Sequence, residues 1–355
     1  MRMIDLLHRW TGGLIGLLLA LIGLSGALLA HADSLLTPVG QAPSRNMALP
    51  DVVAEALRDP APAVDYIIFA STDLPLHRII YSDGSGRYVD TGGVIVDHWQ
   101  SQWERPELWL FDFHRHLFMG KGGETVTGIA ALIGIAFVVS GALLWWQRRY
   151  MFAPRLWPVR MTEPAILRHH RDLGVLLAPL LILSFVTGAM MALKPVGLAL
   201  VSPWSSASEI AAATAGPTTI SRLLAAPPDW HAMVSEARRR FPDAEIRLIG
   251  FPARPGDPIL IRMRRPGEWL PNGRTSLWFA SEGGHLVKAL DADTLPAGAK
   301  ILDRVYPLHA AKVGGFFLRL AMTISGLGLT LLGSLAVWSF WIKRAKRSNQ
   351  HLRSS

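Results

Sequence analysis

Four long apolar runs alternate along the chain with two long mixed segments. The runs cover 3–30, 126–146, 173–193 and 316–342, each long enough as a helix to cross a hydrocarbon core of about 30 Å. The mixed segments carry a different pattern. Leu49 to Arg58 and Trp230 to Arg240 have the spacing of short amphipathic helices, and each precedes alternating, strand-like stretches. In the first segment these are 66–70, 78–81 and 87–90, and in the second 245–249, 258–263 and 275–280. Gly92-Gly93 and Gly283-Gly284 stand where consecutive strands need a tight turn. The pattern predicts four transmembrane helices and two small α+β modules, with Pro- and Ser-rich linkers near 37–44 and 202–228.

The runs are related to one another. Sliding the chain by 162 residues places His8-Arg9 on His170-Arg171, Gly12 on Gly174, and Ser25-Gly26-Ala27 on Thr187-Gly188-Ala189. A slide of 195 places His114 on His309, Gly120 on Gly315, Trp146 on Trp341, and Arg148-Arg149 on Lys343-Arg344. The expectation is an α-helical membrane protein with four transmembrane helices in two parallel repeats, each repeat reading helix, external α+β module, helix.

Charge then orients the chain. The formal net charge is +9, but the basic residues gather beside the ends of the apolar runs and do not interleave with aromatics, a pattern of membrane topology and not of nucleic-acid binding. Arg148, Arg149, Arg155, Arg160, Arg168 and Arg171 fill the link between the second and third runs, and Lys343, Arg344, Lys346 and Arg347 follow the fourth. By the positive-inside rule these regions and both termini are cytoplasmic and the modules extracytoplasmic. Ala30-His31-Ala32 resembles a signal-peptide cleavage site, but the apolar stretch before it exceeds a usual h-region and favours an uncleaved anchor. The predicted division is transmembrane helix 1 at 1–32, module 1 with an interfacial helix at 33–113, helix 2 at 114–148, a loop at 149–169, helix 3 at 170–194, module 2 at 195–308, helix 4 at 309–342 and a basic tail at 343–355. The chain has no cysteine, which excludes disulfides, iron–sulfur clusters and thiolate zinc sites.

LHRWTGGLIGL in the first run, FDFHRHLFMG before the second, SGALLWWQRR closing it, LRHHRDLGVL at the third and YPLHAAKVGG before the fourth together resemble the PepSY-associated transmembrane proteins over nearly the whole chain. The fourth run departs from that pattern, with WSFWIKR in place of the tryptophan pair. The resemblance implies PepSY-like modules, a bacterial inner-membrane location, and kinship with di-haem reductases of ferric siderophores.

Seven histidines lie near the membrane: His8, His31, His114, His116, His169, His170 and His309. Singly, each reads as an interfacial polar residue. His31 maps onto Leu193, His116 onto Ala311 and His169 onto Leu7, so only His8/His170 and His114/His309 recur. A b-type haem takes two neutral imidazoles on opposite faces of its ring, and helices related by a pseudo-twofold axis supply that arrangement. Two haem b groups are therefore expected, one held by His8 and His170 and one by His114 and His309. Arg9, Arg171 and Arg115 have two readings, topology or pairing with haem propionates. Gly12, Gly16, Gly23 and Gly26 either admit close helix approach or leave clearance for a macrocycle. The tryptophans near the span ends read as an interfacial belt or as an electron relay.

These expectations compose an oxidoreductase that passes electrons outward, as the resemblance implies, to a ferric siderophore or other Fe(III) chelate. No G-x-G-x-x-G follows a strand, so the donor is expected to be a quinol or a separate cytoplasmic reductase. The competing reading is a non-enzymatic PepSY protein that binds peptides or regulates a peptidase. A cation transporter is disfavoured, since the apolar cores lack Asp and Glu. Arg262, Arg264, Arg265 and Arg274 form either an attractor for an anionic chelate or the alternating charges of an exposed strand face.

Overall fold

The computed structural model describes residues 1–32, 46–58, 61–72, 74–158, 160–217 and 228–354, with side chains as far as 341. The expected linker at 37–44, part of that at 202–228, and the side chains of the basic tail lie outside these residues. The chain divides into two units: Met1–His31, Leu110–Gly197 and Leu308–Ser355 form one, Ala32–Trp109 and Leu198–Pro307 the other.

The first unit is built on four long helices, α1 (Arg2–Leu29), α4 (Gly120–Trp146), α5 (Glu163–Ala192) and α10 (Gly315–Ser354). All four hold a stretch long and apolar enough to cross a membrane, which in α10 ends at Trp341. Their residues sort as in a lipid-embedded bundle. Along α1 the buried face is Gly12, Gly13, Gly16, Leu19, Ala20 and Gly23, while Leu14, Leu17, Leu21, Leu24 and Leu28 are exposed. Without a hydrophobic drive between helices, association rests on van der Waals packing, so small residues face neighbours and large ones face lipid. α1 packs on α10 and α4 on α5, and α5 and α10 complete the bundle.

Two short helices precede the second and fourth spans: α3 (Pro106–His116) and α9 (Ala297–His309). An interfacial helix ahead of the second span was expected and α3 is such a helix, though it runs past the expected boundary at 113 to include His114; α9 was not expected, since His309 was placed at the start of the fourth span. A break intervenes each time. Leu117, Phe118 and Gly120 have φ of 50, 60 and 55°, and Ala311, Gly314 and Gly315 have 52, 71 and 56°. Successive left-handed residues cannot continue a right-handed helix, so each histidine is carried on an element distinct from the span that follows. The third span also starts earlier than expected, at Glu163, which sets His170 two turns inside the helix.

The second unit is one antiparallel sheet of eight strands in the order β4-β3-β2-β1-β5-β6-β7-β8. The strands are β1 (Val64–Ile68), β2 (Leu76–Tyr81), β3 (Gly86–Asp90), β4 (Ile95–Trp99), β5 (Glu245–Gly250), β6 (Ile259–Arg264), β7 (Thr275–Phe279) and β8 (Leu286–Leu290). Each of the two expected modules supplies a four-stranded meander, and β1 pairs with β5 to make them continuous, with Ile67 opposite Ile249. Helices α2 (Leu49–Ala56) and α8 (Trp230–Arg240) pack against each other and against the sheet, where Val53, Ile67, Ala237, Ile249, Ile261 and Leu277 are wholly buried. Two further helices, α6 (Lys194–Val201) and α7 (Ala207–Thr214), follow α5. The second occupies part of the expected 202–228 linker, its start fixed by the Ser206 hydroxyl accepting from Glu209 N–H.

Candidate functional site

The four recurring histidines meet as two pairs in the helical unit. His8 on α1 faces His170 on α5, ring centroids 6.3 Å apart and planes at 84°. His114, in the last turn of α3, faces His309, the last residue of α9, at 6.1 Å and 47°. A metal–nitrogen bond of about 2 Å and roughly 1 Å more to the ring centre, counted on both sides, separate two trans imidazoles by about 6 Å. Both pairs have that spacing. They are also far apart, since His8 and Ser25, which contacts His114, are separated along α1 by about 25 Å at helical rise.

Hydrogen bonds settle the tautomer of three rings. Ser140 on α4 donates its hydroxyl proton to the Ala136 carbonyl at 2.7 Å, so its oxygen is left to accept from His8 Nδ1 at 2.8 Å. Ser25 likewise donates to Ile22 O and lies 3.0 Å from His114 Nδ1, which also reaches the Ile22 carbonyl at 3.1 Å. Thr187 donates to Leu183 O and lies 2.8 Å from His309 Nδ1. A carbonyl cannot donate, and a hydroxyl whose proton is committed elsewhere must accept. The ring proton is therefore on Nδ1, and Nε2 keeps the lone pair that a metal needs. His170 differs: its Nδ1 is buried without a partner.

Glycines divide by what a side chain would meet. At Gly23 a Cβ would come within 2.7 Å of Gly326 O, and at Gly16 within 3.0 Å of Gly333 O, so these two admit close approach of α1 and α10. Gly26 and Gly188 back onto the imidazoles of His114 and His309. Gly12 and Gly174, each one turn beyond a histidine of the first pair, face open space. They are the positions suited to clearance.

The other histidines have local partners. His31 bonds Thr323 at 2.9 Å, His116 bonds Asp112 at 2.9 Å, and buried His169 bonds the Leu156 carbonyl at 2.9 Å. Of the arginines, Arg9 reaches Asp5 at 3.8 Å and Arg115 reaches Glu124 at 2.8 Å, both at exposed positions. Arg171 is tied more tightly, to fully buried Asp172 and to the Met151 carbonyl, and Arg155 bonds the same carboxylate. This network straps the loop after α4 to α5. Trp146 is 60 % exposed under the Arg149 guanidinium, as an interfacial belt residue would be. In the sheet unit Arg265 pairs with Asp243, Asp291 and Asp293, and Arg274 with Asp303. Those carboxylates balance the arginine cluster.

Sequence reasoning missed Ser25, Thr187 and Ser140 as histidine partners. For the first two a signal existed, because Ser25 and Thr187 coincide in the slide of 162 residues. Among the described residues no three His, Asp or Glu side chains converge as an ordinary metal ion requires. Two imidazoles suffice only for a metal that brings other donors with it, as the iron of a porphyrin does.

Four apolar spans with two facing imidazole pairs, and an antiparallel α+β unit on the same chain, define a multi-pass membrane protein with histidine at the heart of its bundle. The chain belongs to the PepSY-associated TM region family, whose profile matches residues 6–344. Comparison with curated proteins gives no match.

Proposed function

We propose that this protein is a membrane-bound di-haem b oxidoreductase that carries electrons outward across a bacterial inner membrane to a ferric siderophore or other Fe(III) chelate. The observation that carries the reading is the two imidazole pairs at opposite ends of the bundle, each with ring centroids about 6 Å apart, the separation that a metal between two imidazoles requires. The donor set fits haem: neutral rings, and open glycine positions beside one pair. Bound there, haem supplies a one-electron Fe(III)/Fe(II) couple. His8 and His170 would hold one group and His114 and His309 the other. Arg9 and Arg115, whose ion pairs are exposed, are the candidates for the propionates, and Arg171 is not.

The chain's own part is to hold protons still. Ser140, Ser25 and Thr187 hold the ring proton of His8, His114 and His309 on Nδ1, which would let a bound haem change oxidation state with no proton lost from these rings. The two parallel repeats of the sequence support a common origin for the pairs, and matching contacts at Ser25/Thr187 and Gly26/Gly188 support it further. The basic residues at 148–171 favour cytoplasmic termini and an extracytoplasmic sheet unit. Electrons would come from a quinol or a separate reductase. One electron converts the chelated Fe(III) to Fe(II), which hard oxygen donors hold far less tightly, and iron is released.

The test is the purified protein's visible spectrum with pyridine haemochrome analysis. About two low-spin, non-covalent haems per chain are expected, and none would end this reading in favour of a peptide-binding role.

A further inference from the structure

The two pairs differ in one contact, and the sequence repeat locates the difference. His8 has Ser140 on α4 as acceptor for Nδ1–H. In the slide of 195 residues Ser140 corresponds to Leu335 and Phe137, which packs edge-on against His8 at 5.1 Å, corresponds to Leu332. The Leu332 carbonyl lies beside His170. In the repeat, the place of Ser140 is thus taken by Leu335, which is buried and carries no hydroxyl. This accounts for the unpartnered Nδ1 of His170. The other pair has both hydroxyls, Ser25 for His114 and Thr187 for His309.

Resting on the di-haem reading above, we infer that Ser140, Ser25 and Thr187 are positioning residues for the axial ligands, and that Leu335, by denying His170 the fourth hydroxyl, makes the His8/His170 site the weaker of the two haem sites. An imidazole whose second nitrogen donates to an acceptor is fixed in orientation and is a more basic ligand, and loss of such a partner typically costs a factor of about 10–100 in metal affinity. Only His170 lacks a hydroxyl acceptor. Its Nδ1 has no acceptor at full hydrogen-bonding distance, and the looser contact with the Leu332 carbonyl is what remains to favour the tautomer that frees Nε2.

The experiment follows haem transfer from the purified protein, in detergent, to excess apomyoglobin. Wild type should release its two haems in two phases. Leu335→Ser should slow the faster phase about tenfold, since a serine there donates back to its own helix and accepts from His170 as Ser140 does from His8. Leu335→Ala, which removes the same bulk without adding an acceptor, should not slow it. Ser140→Ala should accelerate the faster phase about tenfold and Ser140→Thr should restore it. In redox titration Leu335→Ser should lower one midpoint and leave the other in place, because donation from Nδ1–H favours Fe(III). The inference is overturned if Leu335→Ser and Leu335→Ala behave alike, or if the faster phase responds to Thr187→Ala and not to Ser140→Ala. A wild-type protein that purifies with no haem is a different result, which removes the functional reading itself.

Discussion

At the residue scale, a histidine in this chain is defined by the partner of its second nitrogen. His114, His170, His8 and His309 face one another, whereas His116 and His169 are absorbed by Asp112 and the Leu156 carbonyl. Changing His116 or His169 to Ala should therefore leave haem content within about a tenth of wild type, while His114→Ala or His170→Ala should each remove about one haem, as read by pyridine haemochrome. His77 in β2 shows the same rule with the nitrogens exchanged. Its Nδ1 accepts from Ala70 N–H at 3.1 Å, and burial lowers its pKa to about 4. The folded state holds the ring neutral, and the unfolded chain takes up a proton below about pH 6.5. Stability of the sheet should be complete above pH 6.5 and decline as pH falls from there to about 4, by up to about 3 kcal/mol. His77→Asn, which keeps an acceptor for Ala70, should flatten that slope in urea unfolding of the whole chain.

At the element scale, the same residue type does opposite jobs along one helix. Gly23→Val drives a side chain into the Gly326 carbonyl and should destabilise the α1–α10 contact by about 1–3 kcal/mol, seen as a lower melting temperature in detergent. Gly12→Leu meets open space and should leave melting unchanged while lowering haem content. A glycine's neighbours across a bundle are invisible in one sequence, which is why the two readings of these glycines could be separated only in three dimensions. The strands were more legible. Period-two alternation placed β5, β6 and β7 within a residue, because one face of each is buried. What alternation does not encode is which edge meets which, and so two expected modules proved to be one sheet. Gly120, Gly122 and Gly123 hinted at the break after His116, whereas the one after His309 escaped notice because Ala311, in a left-handed conformation, is not a residue that announces a turn.

At the scale of the whole molecule, the repeat chose the site. Four histidines in seven were singled out by recurrence alone, and these are the four that face one another. Ser140 had no such signal, because its counterpart is Leu335. The direction of electron flow belongs to this scale. In proteoliposomes of known orientation, dithionite-reduced protein should be reoxidised by a ferric siderophore offered at the face bearing the His114/His309 end. His309→Ala should slow that reoxidation at least tenfold even where the other haem stays bound, and an unchanged rate would exclude this pair as the exit.

The crossed pairing of the histidines also imposes an order on biogenesis. His8 waits for His170, and His114 waits for His309, so neither half of the chain owns a complete site. At a synthesis rate of about 5–20 residues per second, the N-terminal histidine of each pair precedes its mate by roughly 10–40 s. A nascent or truncated chain that stops short of the second half offers only single imidazoles to any cofactor it meets. On the di-haem reading, loading would be reserved for the finished bundle, and an abandoned fragment would leave the membrane without a stray redox centre.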